Sequence, residues 1–237
     1  MNGSVPPSTT KKSGAVLFDL DDTLNDRNAS WAIFVSKLRR EFEDRLSGSD
    51  DTATLEAILH LDEGGYRPKE EFFADLLLRL PWSEPPSSRQ LEAFWRETFP
   101  SCMVERDGAK SLLADLRAAG IGLAIVTNGR TDMQTAKIHY LGLHTLVDAV
   151  VISESAGVQK PDPRIYQRAI GALSSTNESA WFVGDSPELD IIGPAKLGLR
   201  TAWLKNGRTW PVAMQPPDCQ LSSLEELRPP LLGTRQS

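Results

Sequence analysis

Beyond about residue 104 this chain alternates short apolar runs with helical patterns, and that alternation leaves it few architectures. Helical spacing over residues 109–119 stops at Gly120, a residue suited to closing a helix. Residues 121–127 are strand-like, 131–141 helical up to Gly142, 149–153 strand-like, and 164–173 helical after Pro163. A strand follows at 180–184, then a helix over 188–197 broken by Gly193 and Pro194, and a last strand at 201–204. Residues 208–218 read as a Pro-containing loop and 221–227 as a terminal helix. Strand and helix in turn, joined by short links, predict a parallel sheet with helices on both faces. The uniformly apolar quartet Ala15, Val16, Leu17 and Phe18 fits a strand buried on both sides of that sheet.

Residues 29–99 have a different texture. Trp31, Phe34, Val35, Leu38 and Phe42 recur at helical spacing, and a second helix is expected over 54–61. A third follows Pro68 and carries Phe72, Phe73, Leu76 and Leu80. A fourth follows Ser87, which with Gln90 has the spacing of a capping box, and carries Leu91, Phe94 and Trp95. The links hold Gly64-Gly65 and Pro85-Pro86, and the stretch has no strand signal. The expected organisation is therefore a disordered leader over 1–13, an α/β core formed by 14–24 and 104–237, and a helical domain over 25–103 inserted after the first strand. The aromatics Trp31, Phe72 and Trp95 read as the core of that insertion.

Composition removes several functions. With 26 basic and 32 acidic residues the formal net charge is -6, so nucleic acid and anionic membranes are disfavoured partners. Two distant cysteines, Cys102 and Cys219, exclude a disulfide scaffold and a thiolate zinc site. No apolar run approaches the roughly 18 residues of a membrane span. The leader has no apolar stretch of a secretory signal, so a cytoplasmic protein is expected. His60, His139 and His144 lack the mutual spacing of a metal triad and read as structural or exposed.

In an open parallel sheet ligands bind beyond the carboxyl ends of the strands. Four such places carry polar groups: Asp19, Asp21 and Asp22; Thr127, Asn128 and Gly129; Lys160 on the loop before the helix at 164–173; and Asp185, Ser186 and Asp190. Each alone has an ordinary reading as a turn, a helix cap or a solvated lysine. Together they predict one crevice in which several carboxylates stay charged only beside a hard cation, of which magnesium is the natural choice. A lysine, a hydroxyl and free N–H groups beside that cation make an anion site, and the combination points to phosphate.

These residues resemble a known family. The run 18–24, Phe-Asp-Leu-Asp-Asp-Thr-Leu, looks like the first motif of the haloacid dehalogenase-like (HAD) superfamily. Val126-Thr127-Asn128-Gly129 resembles the second, residues 157–163 around Lys160-Pro161 the third, and residues 183–190 from Val183 to Asp190 the fourth. The resemblance covers residues 14–205 and implies a Rossmann-like core with an all-helical C1 cap, which would close over the core and exclude water. It implies Asp19 as nucleophile, forming an aspartyl-phosphate, and Asp21 as the acid and then the base. Thr127 and the Asn128 backbone would hold phosphate oxygens, and Lys160 would neutralise charge on the phosphate and on Asp19. Asp19, Asp185 and the Asp21 carbonyl would bind Mg2+, with Asp190 acting through water or by orienting Lys160.

The expected enzyme is a magnesium-dependent phosphomonoesterase acting on a nucleoside monophosphate or a sugar or organic-acid phosphate. A 2-haloacid dehalogenase is the alternative, disfavoured because halide leaves without a proton and Asp21 would have no task. A non-catalytic binding protein of the same fold is the third reading. The stretch Asn25-Asp26-Arg27-Asn28 lacks the histidine of the family's sugar-phosphate mutases. In the inserted domain no residue stands out chemically; Arg27 and Arg67 are candidates for a second anionic group on a substrate, and a solvated arginine is the more ordinary reading of both. A homodimer is compatible with the chain, and no residue specifies it.

Overall fold

The computed structural model describes residues 14–46 and 50–233, so the leader expected over 1–13 lies outside the described residues. In chain order the strands are β1 (Ala15–Phe18), β2 (Asn25–Asp26), β3 (Val104–Glu105), β4 (Gly122–Thr127), β5 (Ala149–Ile152), β6 (Ala180–Gly184), β7 (Arg200–Leu204) and β8 (Cys219–Leu221). The principal helices are α1 (Arg27–Glu41), α2 (Asp51–Asp62), α3 (Lys69–Arg79), α4 (Ser88–Thr98), α5 (Ala109–Ala118), α6 (Thr131–Tyr140), α7 (Ser153–Ala156) and α8 (Pro163–Ala172). They form two units. One comprises the residues up to Thr23, Asp107–Arg130 and those from His144 onward; the other comprises Leu24–Arg106 and Thr131–Leu143.

The first unit is an α/β fold on a six-stranded sheet of order β5-β4-β1-β6-β7-β8, and all five pairings are parallel. The sequence explains the sheet's interior. β1, β4 and β6 are apolar without alternation and buried along their whole length, as a two-sided parallel sheet requires. Ile165, Tyr166, Ala169 and Ile170 of α8 pack on Leu17, Ala124, Val126 and Phe182. Val16, Phe18, Leu123 and Ile125 are equally buried and, by the two-residue period of a strand, point to the other face. From β1 the chain moves outward to β4 and β5, then returns to β6 on the other side of β1. The reversal of strand order therefore falls between β1 and β6, where a crevice beyond the strand ends takes ligand.

Three details differ from the sequence reading. The sheet has a further edge strand: Cys219–Leu221 pairs with β7 where a helix was expected to start, and Leu224–Leu227 is a single 3-10 turn. Three residues at an edge carry too short a pattern to be read as a strand. The helical stretch is bracketed by a two-residue antiparallel ladder, Asn25 with Glu105 and Asp26 with Val104. Finally, α6 falls within the expected core segment 104–237 but groups with the helical unit. Asp132 pairs with Arg96 of α4 at 2.7 Å, and Lys137 lies 5.7 Å above the Phe99 ring.

The second unit buries an aromatic cluster in which Trp31 meets Phe34, Phe72 and Phe99 at centroid distances of 5.3, 5.8 and 4.2 Å. The Ser87–Gln90 capping box is formed at the start of α4. Beside the cluster, the buried Asp62 carboxylate accepts from Arg27 Nε at 2.8 Å, Trp31 Nε1 at 3.3 Å and Lys69 Nζ at 2.9 Å. Arg67 pairs with Glu63 and Asp75. Both arginines considered for a substrate anion are thus engaged within their own unit.

Burial alone would push the Asp62 carboxyl up, but Arg27 and Lys69 hold it below the usual carboxylate range. A depressed carboxyl contributes stability that is complete above its unfolded value, about 4, and is lost as pH falls through the lower folded value. Asp62→Asn leaves Arg27 buried beside a neutral amide and is expected to cost about 3 kcal/mol at neutral pH. Urea unfolding should show the gap to wild type narrowing below about pH 4. A gap that stays constant into acid would contradict this account of Asp62.

Among the described residues no helix is long and apolar enough to cross a membrane. His60, His139 and His144 are all exposed.

Candidate active site

Asp19 leaves the end of β1, and its backbone N–H donates to Val183 O of β6 at 2.9 Å, which fixes it at the strand-order reversal. On the other side of that crevice β6 ends at Gly184, followed by Asp185 and a π-helical turn, Pro187–Ile192, capped by Ser186. This turn is the first half of the broken helix expected from the sequence. It bends Asp190 back beneath the strand end, where Asp190 Oδ2 accepts the backbone N–H groups of Asp185 at 3.1 Å and Ser186 at 2.9 Å.

Gly184 permits that return. A Cβ added there would run into the Asp190 side chain. Gly184→Ala is expected to cost about 1–3 kcal/mol through overpacking and to displace Asp190. Thermal unfolding checks it, and wild-type stability would contradict the close approach.

Lys160 reaches the crevice from the loop between α7 and α8. The Asn128 amide grips its backbone from both sides: Lys160 N–H donates to Asn128 Oδ1 at 2.8 Å and Asn128 Nδ2 donates to Lys160 O at 3.0 Å. Its ammonium, 2% exposed, donates to Asp19 Oδ1 at 2.6 Å and Asp190 Oδ1 at 2.7 Å. Thr127 is buried at the end of β4, the residue before this clamp. Asp185 Oδ2 accepts from Arg208 Nη2 at 2.7 Å, and its carbonyl accepts from Trp203 Nε1 at 2.8 Å.

Carboxylate oxygens of Asp19, Asp185 and Asp190 all lie within 4.8 Å of one another. The structure therefore brings Asp19, Lys160, Asp185 and Asp190 together, with Asn128 one bond network away. The Asp21 carboxylate does not join this group; its expected metal contact is the backbone carbonyl. Asp190 is itself a member of this carboxylate group and contacts the Lys160 ammonium. Arg208 and Trp203 join the site without any signal in the sequence. A loop arginine and a strand tryptophan carry no local pattern, and only the fold places them on Asp185.

The electrostatics are those of a crowded acidic site. Burial pushes the Asp19 carboxyl well above the usual range; Lys160 pulls against this, and Asp190 and Asp185 add to it. Burial, with Asp190 and Asp22 nearby, pushes Asp185 up to about 7 against the opposing Arg208. Burial alone would depress the Lys160 ammonium, but Asp19 and Asp190 more than offset it and hold it above the usual lysine range. Three carboxylates within 4.8 Å of one another, two of them on the Lys160 ammonium, offer oxygen as the only donor type and fit a hard divalent cation. A thiolate or imidazole metal finds no donor in that cluster.

Residues 14–198 match the pattern of the family described as haloacid dehalogenase-like hydrolase. The chain is 33% identical over 205 residues to the glyceraldehyde 3-phosphate phosphatase of Pyrococcus abyssi, covering 81% of this chain and 82% of that protein. It is 35% identical over 144 residues to the phosphoserine phosphatase of Thermus thermophilus, a match spanning 60% of this chain and 57% of that protein's length. The solved structure of the HAD-hydrolase YfnB from Bacillus subtilis bound to magnesium matches with a TM-score of 0.74 at 26% identity, over 93% of this chain and 99% of that one.

Proposed function

Since this chain belongs to the haloacid dehalogenase-like hydrolase family and is an enzyme of it, we propose that it is a cytoplasmic, magnesium-dependent phosphomonoesterase. Its substrate is a small phosphorylated metabolite: a sugar or organic-acid phosphate, or a nucleoside monophosphate. The small phosphate esters named for the two phosphatases above support that class. One observation carries the reading. The Lys160 ammonium bridges Asp19 and Asp190 while Asp185 stands in the same carboxylate group. A carboxylate attacks a phosphate dianion only where charge is neutralised, and this crevice has a fixed cation on the attacking group.

In this reading an Asp19 oxygen forms a bond to phosphorus as the bond to the leaving oxygen breaks, and the Asp21 carboxylic acid gives that oxygen its proton. Asp21, now a carboxylate, takes a proton from water as the water oxygen attacks phosphorus. The acyl phosphate then breaks at its P–O bond, releasing phosphate and restoring Asp19. Thr127 Oγ1 and the Asn128 N–H donate to phosphate oxygens, and Lys160 offsets their charge. Asp190 holds Lys160 in register with Asp19. Asp19, Asp185 and the Asp21 carbonyl would hold magnesium, which would supply Lewis-acid neutralisation of the phosphate charge. The helical unit is the family's cap and carries substrate selection.

The test is phosphate release from p-nitrophenyl phosphate and from a panel of phosphorylated metabolites. Turnover with magnesium that stops on adding EDTA and returns with excess magnesium is the expected result. No release from any ester in the presence of magnesium would overturn the reading. Chloride release from 2-haloacids without magnesium would replace it with the dehalogenase alternative.

A further inference from the structure

Residues 205–208 have no part in the chemistry above, yet this one turn grips both acid-bearing loops. It leaves β7 with Lys205 N–H donating to Leu221 O of β8 at 2.9 Å, and it closes through Arg208 N–H to Lys205 O at 2.9 Å. Asn206 and Gly207 take left-handed φ values of 47° and 75°, which aim the turn back at the crevice. Asn206 Nδ2 donates to Asp22 O at 2.8 Å. Arg208 Nη2 donates to both the carbonyl of Asp185, at 2.8 Å, and its Oδ2, at 2.7 Å, while Arg208 Nε donates to Lys205 O at 3.2 Å. The guanidinium is thus anchored at its root and docked at its tip, although its side chain is 49% exposed. Lys160 serves Asp19 and Asp190; Arg208 serves Asp185.

We propose that Arg208 acts on Asp185 as a built-in counter-cation, which competes with the divalent ion for the carboxylate's charge and so sets the affinity of the site. The inference rests on the reading of Asp185 as a ligand of that ion. The argument is electrostatic. A guanidinium on one carboxylate oxygen withdraws charge from the other and repels a second cation a few ångströms away. Half-exposure screens this repulsion without removing it, and added salt weakens it further. An arginine that only braced the loop would act in the opposite sense: its loss would disorder Asp185 and weaken metal binding.

Calorimetric titration of magnesium into the full chain, without substrate, separates the two. Arg208→Gln is expected to bind magnesium roughly tenfold tighter than wild type at low salt, with the difference shrinking at high salt. Arg208→Lys, which keeps the charge, stays near wild type, and Asp185→Asn binds weakly. Equal or weaker binding by Arg208→Gln, or an Arg208→Lys variant as tight as Arg208→Gln, overturns the inference while the Asp185 reading stands. Wild-type protein that takes up no magnesium, or an Asp185→Asn variant that binds as wild type does, overturns both.

Discussion

Asp19→Asn is expected to lower phosphate release by a thousandfold or more while leaving the protein at least as stable as wild type. The two halves of this result have separate causes. An amide oxygen cannot serve as the attacking group, so the covalent step is lost whatever the remaining donors do. The fold is spared because the substitution keeps the side chain's shape, and its carbonyl oxygen can still accept from Lys160. Burial and two neighbouring carboxylates disfavour the charge that Asp19 carries, so neutralising it removes a cost that opposes folding. Lys160 keeps Asp190 as a partner. Activity assays beside thermal unfolding read both halves. A variant that turns over normally would remove Asp19 from the mechanism. One that loses activity only because it unfolds would contradict the electrostatic account.

Lys160→Met is expected to do what Asp19→Asn does not, and damage both function and fold. The ammonium it removes is held by two carboxylates at 2.6 and 2.7 Å in a nearly closed setting. Breaking a buried pair by deleting one partner costs about 3–5 kcal/mol, because the opposite charge stays buried. Here two carboxylates are left, with Asp185 beside them. Loss of a fixed cation aimed at developing charge lowers turnover by about a hundred- to a thousandfold in comparable sites. Lys160→Arg should not restore either property, since a planar fork cannot occupy the space of a compact ammonium. The Asp19→Asn/Lys160→Met double variant should be more stable than additivity predicts, as the two side chains are in contact. Denaturant unfolding measures this, and a Lys160→Met protein of wild-type stability would contradict the ion-pair network.

How much of this is readable in the chain depends on the kind of signal each feature leaves. The core strands are readable because a two-sided parallel sheet demands uninterrupted apolar runs. The acids are readable because such a run ends abruptly in Asp19 and, at the fourth position, in Gly184-Asp185. Asn128 and Lys160 are readable as strand-end and loop polar groups, but not their mutual grip, which joins segments 32 residues apart. The sheet's edge strand, Cys219–Leu221, is too short to show a period. The covered face of α6 includes Gln134 and Lys137 beside Met133 and Ile138, so no apolar stripe marks it in the sequence, and its place beside Phe99 and Arg96 is a tertiary fact. Arg27 illustrates the same limit. Its charge suggests a substrate anion, and only the fold supplies Asp62 as its partner. Arg208 lies in a loop with no pattern at all, and its role emerges from two contacts to Asp185.

The central claim is that Asp19 carries the phosphoryl group during turnover. Rapid quenching with substrate and magnesium, followed by borohydride trapping and peptide mass mapping, tests it most directly. The account predicts that the trapped position is Asp19, and that the signal is absent from the Asp19→Asn protein. Homoserine, the product of borohydride reduction of an aspartyl-phosphate, formed at another aspartate or at none would contradict it.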